Sequence, residues 1–142
     1  MIRDLSTSEM TALLKRHRFG RLGVRDVEGV AVVPISYVLD RDSLICHSPA
    51  GHKLQLMRLW NHVGLAVDEI DDEEHWMSVL VQGRFHELTD PAQQQEARLT
   101  LLKAFDGNPE AVTAGHGRRT TLADAIVFRI SIDSLAGRAQ GR

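Results

Sequence analysis

The sequence predicts a mainly β protein of the α+β kind, a small closed β-barrel of five or six strands with helices on its flanks. Three observations lead there. Apolar residues recur in short alternating or continuous runs at 19–25, 30–39, 43–47, 62–70, 75–88 and 125–132. Turn signals such as Glu28-Gly29 and Asp40-Arg41-Asp42 join several of these runs directly. Helical start and stop signals appear in only two or three places, and short strand connections favour a closed sheet.

The first element is a short helix over 5–17. Ser6 and Glu9 have capping-box spacing, Leu5 and Met10 sit where a hydrophobic staple belongs, and Met10, Leu13 and Leu14 form one apolar face. Residues 19–25 alternate as a strand, with Gly20 and Gly23 inside it marking a bulge or a close backbone approach. After Glu28-Gly29 comes VAVVPISYVL (30–39), apolar enough to be covered on both faces. Pro34 in its middle cannot donate a ladder hydrogen bond, which places it at an edge, a bulge or a ligand-facing gap. Asp40-Arg41-Asp42 turns the chain back into Ser43–His47, completing a tight hairpin.

The stretch SLICHSPAGHKLQLMRLW (43–60) organises the rest. It reads as a strand that breaks at Ser48-Pro49 and continues as a helix, with Ser48 as N-cap, Pro49 at the first helical position and Lys53 in the first turn. Open N–H groups and the positive dipole end at such a helix start favour an anion, and Gly51 admits a close ligand. His52 and Lys53 add donors there. A phosphate pocket is the expectation.

Residues 62–70 form a further strand, Asp71–Glu74 a solvated acidic loop, and 75–88 the longest strand. In that strand Met77, Val79, Val81 and Phe85 share one face, while Ser78, Gln82, Arg84 and His86 share the other. Asp90-Pro91 starts another helix with Gln93 as capping partner. Leu101, Leu102 and Phe105 form its buried side, and Asp106-Gly107-Asn108-Pro109 stops it. Residues 111–121, with Gly115, Gly117, Arg118 and Arg119, read as a mobile loop and a candidate lid over an anionic ligand. The last strand, 125–132, points Ile126, Phe128, Ile130 and Ile132 inward.

The totals narrow the function class. With 142 residues the chain is expected to be a single domain, 1–142, that buries a core without staples. A net charge of −2 argues against a dedicated nucleic-acid binder, which would show a basic face. One cysteine, Cys46, precludes an internal disulfide and a thiolate zinc site; it reads as a buried, inert thiol. The histidines lack metal-ligand spacing, so a zinc hydrolase is disfavoured. No run is long and apolar enough for a membrane span, and no signal-peptide core is present, so a cytoplasmic address is the default. Trp60 and Trp76 read as core or interface anchors.

Three segments together carry a family resemblance: GRLGV (20–24), VVPISYV (32–38) with CHSPAGHK (46–53), and WMSVLVQGR (76–84). In this order they resemble the split-barrel flavoproteins related to pyridoxamine 5′-phosphate oxidase. The likeness is greatest to the flavin-nucleotide-binding, nitroimidazole-resistance-like branch, over residues 19 to 90 with an echo in FRISIDSLAGR (128–138). The resemblance implies a six-stranded split β-barrel of the FMN-binding type with flanking helices, and a homodimer with cofactor sites at its interface. It further implies that Val33, Pro34, Ile35 and Ser36 lie along the isoalloxazine ring, the strand offering main-chain groups. His47 and Ser48 would border the ribityl chain and phosphate, His52 and Lys53 would bind the phosphate, and Ser78 would reach the flavin from the partner subunit.

The sequence also departs from the vitamin-synthesising oxidases. Ala31 stands where they carry a basic residue, His52 where they carry an arginine, and their substrate-gripping C-terminal segment has no counterpart. Pyridoxamine phosphate oxidation is therefore not expected. The resemblance implies an FMN-dependent oxidoreductase acting on a small organic acceptor; no residue is marked as a necessary acid or base, and His47 or His75 is the candidate if a proton donor is required. A non-enzymatic flavin-binding or sensing protein is the alternative. Some relatives use a deazaflavin or haem in the same barrel.

Overall fold

The computed structural model describes residues 1–114 and 120–142. The elements run β1 (Ile2–Asp4), α1 (Thr7–Arg16), β2 (Phe19–Asp26), β3 (Gly29–Asp40), β4 (Ser43–Ser48), α2 (His52–Leu59), β5 (His62–Asp72), β6 (His75–Glu87), α3 (Pro91–Ala104), α4 (Pro109–Val112), β7 (Ile126–Ser131) and β8 (Ser134–Gln140). All strand pairings are antiparallel.

Six strands close on themselves in the order β2-β3-β4-β7-β6-β5, as the predicted barrel requires, with β5 returning to β2. The inward faces supply one continuous core, with Leu22, Tyr37, Leu44, Leu65, Val79, Phe128 and Ile130 all buried within it. Phe85 and Phe128 meet there with ring centroids 5.0 Å apart. Helix α1 adds Leu13 and Leu14, and the Tyr37 hydroxyl donates to the Leu14 carbonyl at 2.8 Å. A second cluster lies outside the ring, where Ala97 and Leu101 of α3 cover Val38, Ile45 and Val127.

Two strands were not expected from the sequence. β8 pairs with β6 from Trp76 to Gln82, and β1 adds to β8. β6 therefore serves β8 along its first half and β7 at its end, and Gly83 marks the switch. A Cβ at Gly83 would stand 1.7 Å from the Ser131 carbonyl oxygen, so only glycine fits. Gly20 has a similar reason, since its Cβ would lie 2.8 Å from the Ala66 oxygen; the expected close approach is present.

Helix signals fared unevenly. The Ser6–Glu9 capping box is formed in both directions at 3.1 and 3.0 Å, and Asp90 caps α3 by accepting from the Gln93 N–H at 3.1 Å. Ser48 does not cap α2. It stays in β4 opposite Ile126, and its hydroxyl donates to the Pro49 carbonyl at 2.8 Å. Helix α2 starts only after Gly51, its N-cap, which offers no side-chain cap. The acidic run is likewise not a loop throughout: Asp71 and Asp72 belong to β5, leaving a tight turn at Glu73-Glu74. The expected lid falls partly on α4, and its residues 115–119 lie outside the described residues.

Candidate functional site

Strand β3 is paired on both sides for only part of its length. Against β2 the register is complete, from Asp26 opposite Gly29 to Phe19 opposite Ser36. Against β4 it covers only Tyr37 to Asp40. Among the described residues, positions 29–36 have no strand on the β4 side, so part of their main-chain hydrogen-bonding capacity faces an open edge. Pro34, opposite Arg21, sits in the middle of this half-strand, one of the settings the sequence allowed.

The side chains there alternate. Ala31, Val33 and Ile35 turn inward to the core. Val30, Val32, Pro34 and Ser36 form the outer row, Val30 being 72% and Val32 63% exposed in the single chain. The expectation that both faces of this strand are covered is thus corrected. The inner face is packed against the ring's core and α3 covers the outer face at Val38, but Val30 and Val32 on that outer face stay exposed. Of the four residues expected along a planar ligand, Pro34 and Ser36 turn their side chains outward, while Val33 and Ile35 turn theirs into the core.

The link from β4 to α2 runs beside this open half and is tied to it at both ends. At one end Ser36 Oγ lies 2.9 Å from His47 Nε2, with His47 only 1% exposed and Ser48 buried beside it. At the other, His52 Nε2 lies 4.0 Å from Asp26 in the β2–β3 hairpin. Between these ties α2 begins without a side-chain cap, which leaves first-turn N–H groups for another acceptor. Lys53 stands in that first turn. It is close enough to Cys46 for its charge to oppose the burial that pushes the Cys46 thiol up to about 12. The structure thus brings Ser36 and His47 together and sets His52 beside Asp26 with Lys53 next to it, while His47 and Ser48 themselves are buried.

Ser78 is not among them. It lies on the outer face of β6, opposite Asp68 and Arg138, and lines a separate cleft of about 570 Å³ with Trp76, Leu80 and Leu135. His75 also stands apart, at the β5–β6 turn, its Nδ1 2.8 Å from Asp72. Trp60 packs against the core with the Arg25 guanidinium 4.7 Å over its ring.

Sequence reading missed two cations beside the open half. Arg21 faces Pro34 across the ladder. Arg18 precedes Phe19, the register partner of Ser36; its Nη1 donates to the Lys15 and His17 carbonyls, and its Nε is buried without a hydrogen-bond partner. A lone basic residue at a helix–strand junction carries no motif, so only the fold draws attention to them.

A ring of six antiparallel strands, opened along half of one strand and flanked by helices, is the architecture of the split-barrel proteins. The sequence matches the pyridoxamine 5′-phosphate oxidase family over residues 6–139, and the chain belongs to that family. It is 32% identical over 143 residues to an uncharacterised protein of Rhizobium meliloti (strain 1021), covering 97% of this chain and 95% of that one. Among solved structures it is similar to an FAD-binding protein from Mesorhizobium loti, with a TM-score of 0.80 and 31% identity over 100% of this chain and 98% of that one. It shares its fold with a Bacteroides thetaiotaomicron protein proposed to confer 5-nitroimidazole antibiotic resistance. That TM-score is 0.74 at 14% identity, covering 98% and 87% of the two chains.

Proposed function

We propose that this protein binds a flavin nucleotide through the FMN moiety and uses it to reduce a small organic acceptor. The observation that carries the reading is the open half of β3, apolar on its outer row, ending beside the uncapped start of α2 with Lys53 in its first turn. A flat aromatic ring with an anionic tail matches that pairing of surfaces. The FAD-binding relative from Mesorhizobium loti supports it, because FAD contains the FMN group. Backbone of 33–36 and the Ser36 hydroxyl would hold the ring, His47 and Ser48 would border the chain joining ring to phosphate, and His52, Lys53 and the α2 N–H groups would take the phosphate.

The bound flavin supplies the electron storage. The chain's own residues bind and orient it, and their apolar outer row keeps water away. A second copy is the natural cover for Phe19, Val30 and Val32, all more than half exposed. In that homodimer Ser78 and its cleft would approach the partner's site.

The test is the visible spectrum of freshly purified protein, followed by mass spectrometry of what heat releases. FMN or FAD supports the reading, whereas a Soret band or a deazaflavin mass overturns the cofactor assignment. Turnover of nitro and quinone acceptors with a nicotinamide donor then tests the oxidoreductase activity. Tight flavin binding without turnover would instead establish a storage or sensing protein.

A further inference from the structure

The cleft on β6 and β8 is the second concavity of the molecule with a chemistry of its own. It lies where β1 leaves β8 and the chain turns into α1, and Leu5 and Met10 of that turn help to line it. Three successive rungs of the β6–β8 ladder form its bed: Trp76 opposite Gln140, Ser78 opposite Arg138 and Leu80 opposite Ala136. Period-two alternation puts these rungs on one face. The middle rung continues onto β1, where Asp4 is the register partner of Arg138. A hydroxyl, a guanidinium and a carboxylate therefore stand in a row, with apolar residues on either side. Trp76 Nε1 donates to Gln140 at 3.2 Å, so the indole's only donor is engaged and carbon surface is what it offers the cleft. Leu80, 39% exposed, and Leu135 add to that apolar surface.

We propose that this cleft binds a small zwitterion with an apolar body, of the kind of an α-amino acid with a large apolar side chain. The volume of about 570 Å³ and a largely apolar lining with a few polar groups are those of a small-molecule site. The polar groups are loosely engaged. Arg138 Nε is 3.8 Å from Asp4 Oδ1, beyond hydrogen-bond reach, and the two side chains are 71% and 91% exposed. Among the described residues the Ser78 hydroxyl has no hydrogen-bond partner. An exposed pair of this kind is worth little, so a ligand can take each partner at small cost. A ligand carboxylate would meet Arg138 and Ser78, its ammonium would meet Asp4, and its apolar body would lie against Trp76 and Leu80. The charges select the zwitterion. An acid alone would leave Asp4 facing it, and Asp68, next on the same rung beyond Ser78, adds a second carboxylate against a net negative ligand. An amine alone would leave Arg138 facing it. The inference does not depend on the flavin reading, since it uses neither the open half of β3 nor the start of α2.

The experiment is calorimetric titration of the protein with L-phenylalanine, 3-phenylpropanoate and 2-phenylethylamine, which share one apolar body and differ in charge. L-Phenylalanine should bind about fivefold more tightly than either of the others, the upper worth of one exposed ion pair. Arg138→Gln should abolish its advantage over 2-phenylethylamine, and Asp4→Asn its advantage over 3-phenylpropanoate. Both side chains are largely exposed, and ratios measured on one variant cancel any loss of stability. Ala136→Trp, at an exposed position on the bed of the cleft, should abolish binding of all three ligands. Equal affinity of the wild type for the three ligands overturns the inference, as does binding that survives Ala136→Trp or a preference unchanged in Arg138→Gln and Asp4→Asn. No binding to a preparation that sediments as a dimer gives the cleft to the second copy and overturns it as well. Each of these outcomes leaves the flavin reading untouched, because none of the probes is a flavin.

Discussion

Lys53 and Glu69 show how much a single side chain decides. Lys53 stands at a helix start that no side chain caps, so its expected role is to meet an anion. Lys53→Ala should weaken FMN binding about tenfold, the scale of one charge-assisted hydrogen bond, and leave riboflavin, which lacks the phosphate, unaffected. Fluorescence titration with both ligands checks this, and equal losses would remove Lys53 from the phosphate site. Glu69 is structural. Hydrogen bonds from Arg16 and His17 hold its carboxyl well below the ordinary value, from 4.5 to about 2, and Arg142 donates to its other oxygen at 3.0 Å. A carboxylate depressed in the folded state stabilises fully above 4.5 and loses that contribution as pH falls toward 2. Glu69→Gln should therefore lower the melting temperature at neutral pH, with wild type and variant converging near pH 2. The network joins α1, β5 and the C-terminal residue, and no sequence spacing announces it.

At the scale of elements, local rules held where no long-range contact competed. The capping box of α1 forms as written in the sequence, and Ser6→Ala should cost about 1 kcal/mol in urea unfolding. At α2 the same rules misplaced the helix start. Ser48 is a good capping residue, but pairing with Ile126 keeps it in β4, and the helix begins at His52. Strand β6 was legible because Met77, Val79, Val81 and Phe85 alternate with polar residues. Strand β8, SLAGRAQ, has little apolar content, and it exists because β6 offers it an edge. Where β6 passes from β8 to β7, Gly83→Ala should strongly lower the melting temperature or prevent folding, since the added methyl would meet backbone that cannot swing away.

For the whole molecule, the exposed outer row of β3 is the feature that one chain leaves unresolved. If a second copy covers it, Val32→Asp should shift the protein toward monomer in sedimentation experiments and reduce flavin occupancy in the same preparation. A wild type that is already monomeric at micromolar concentration would leave the proposed interface without support. The proposal ties the two consequences together, because Ser78 is on β6, across the ring from β3's open half, and would meet a flavin bound there only from a second copy.

By itself the sequence determined the six ring strands, helices α1 to α3, the inward faces of the ring, the hairpin turns and the family, because periodicity, turn chemistry and short motifs act over a few residues. Only the tertiary structure decided where β3 loses its second neighbour, which of its side chains face outward, and that His47 meets Ser36. It likewise placed Arg21 across from Pro34, on the paired β2 side of that half-strand, and Arg18 beside Tyr37. Those facts depend on which strands pair and over what length, and pairing is settled by contacts between residues far apart in the chain.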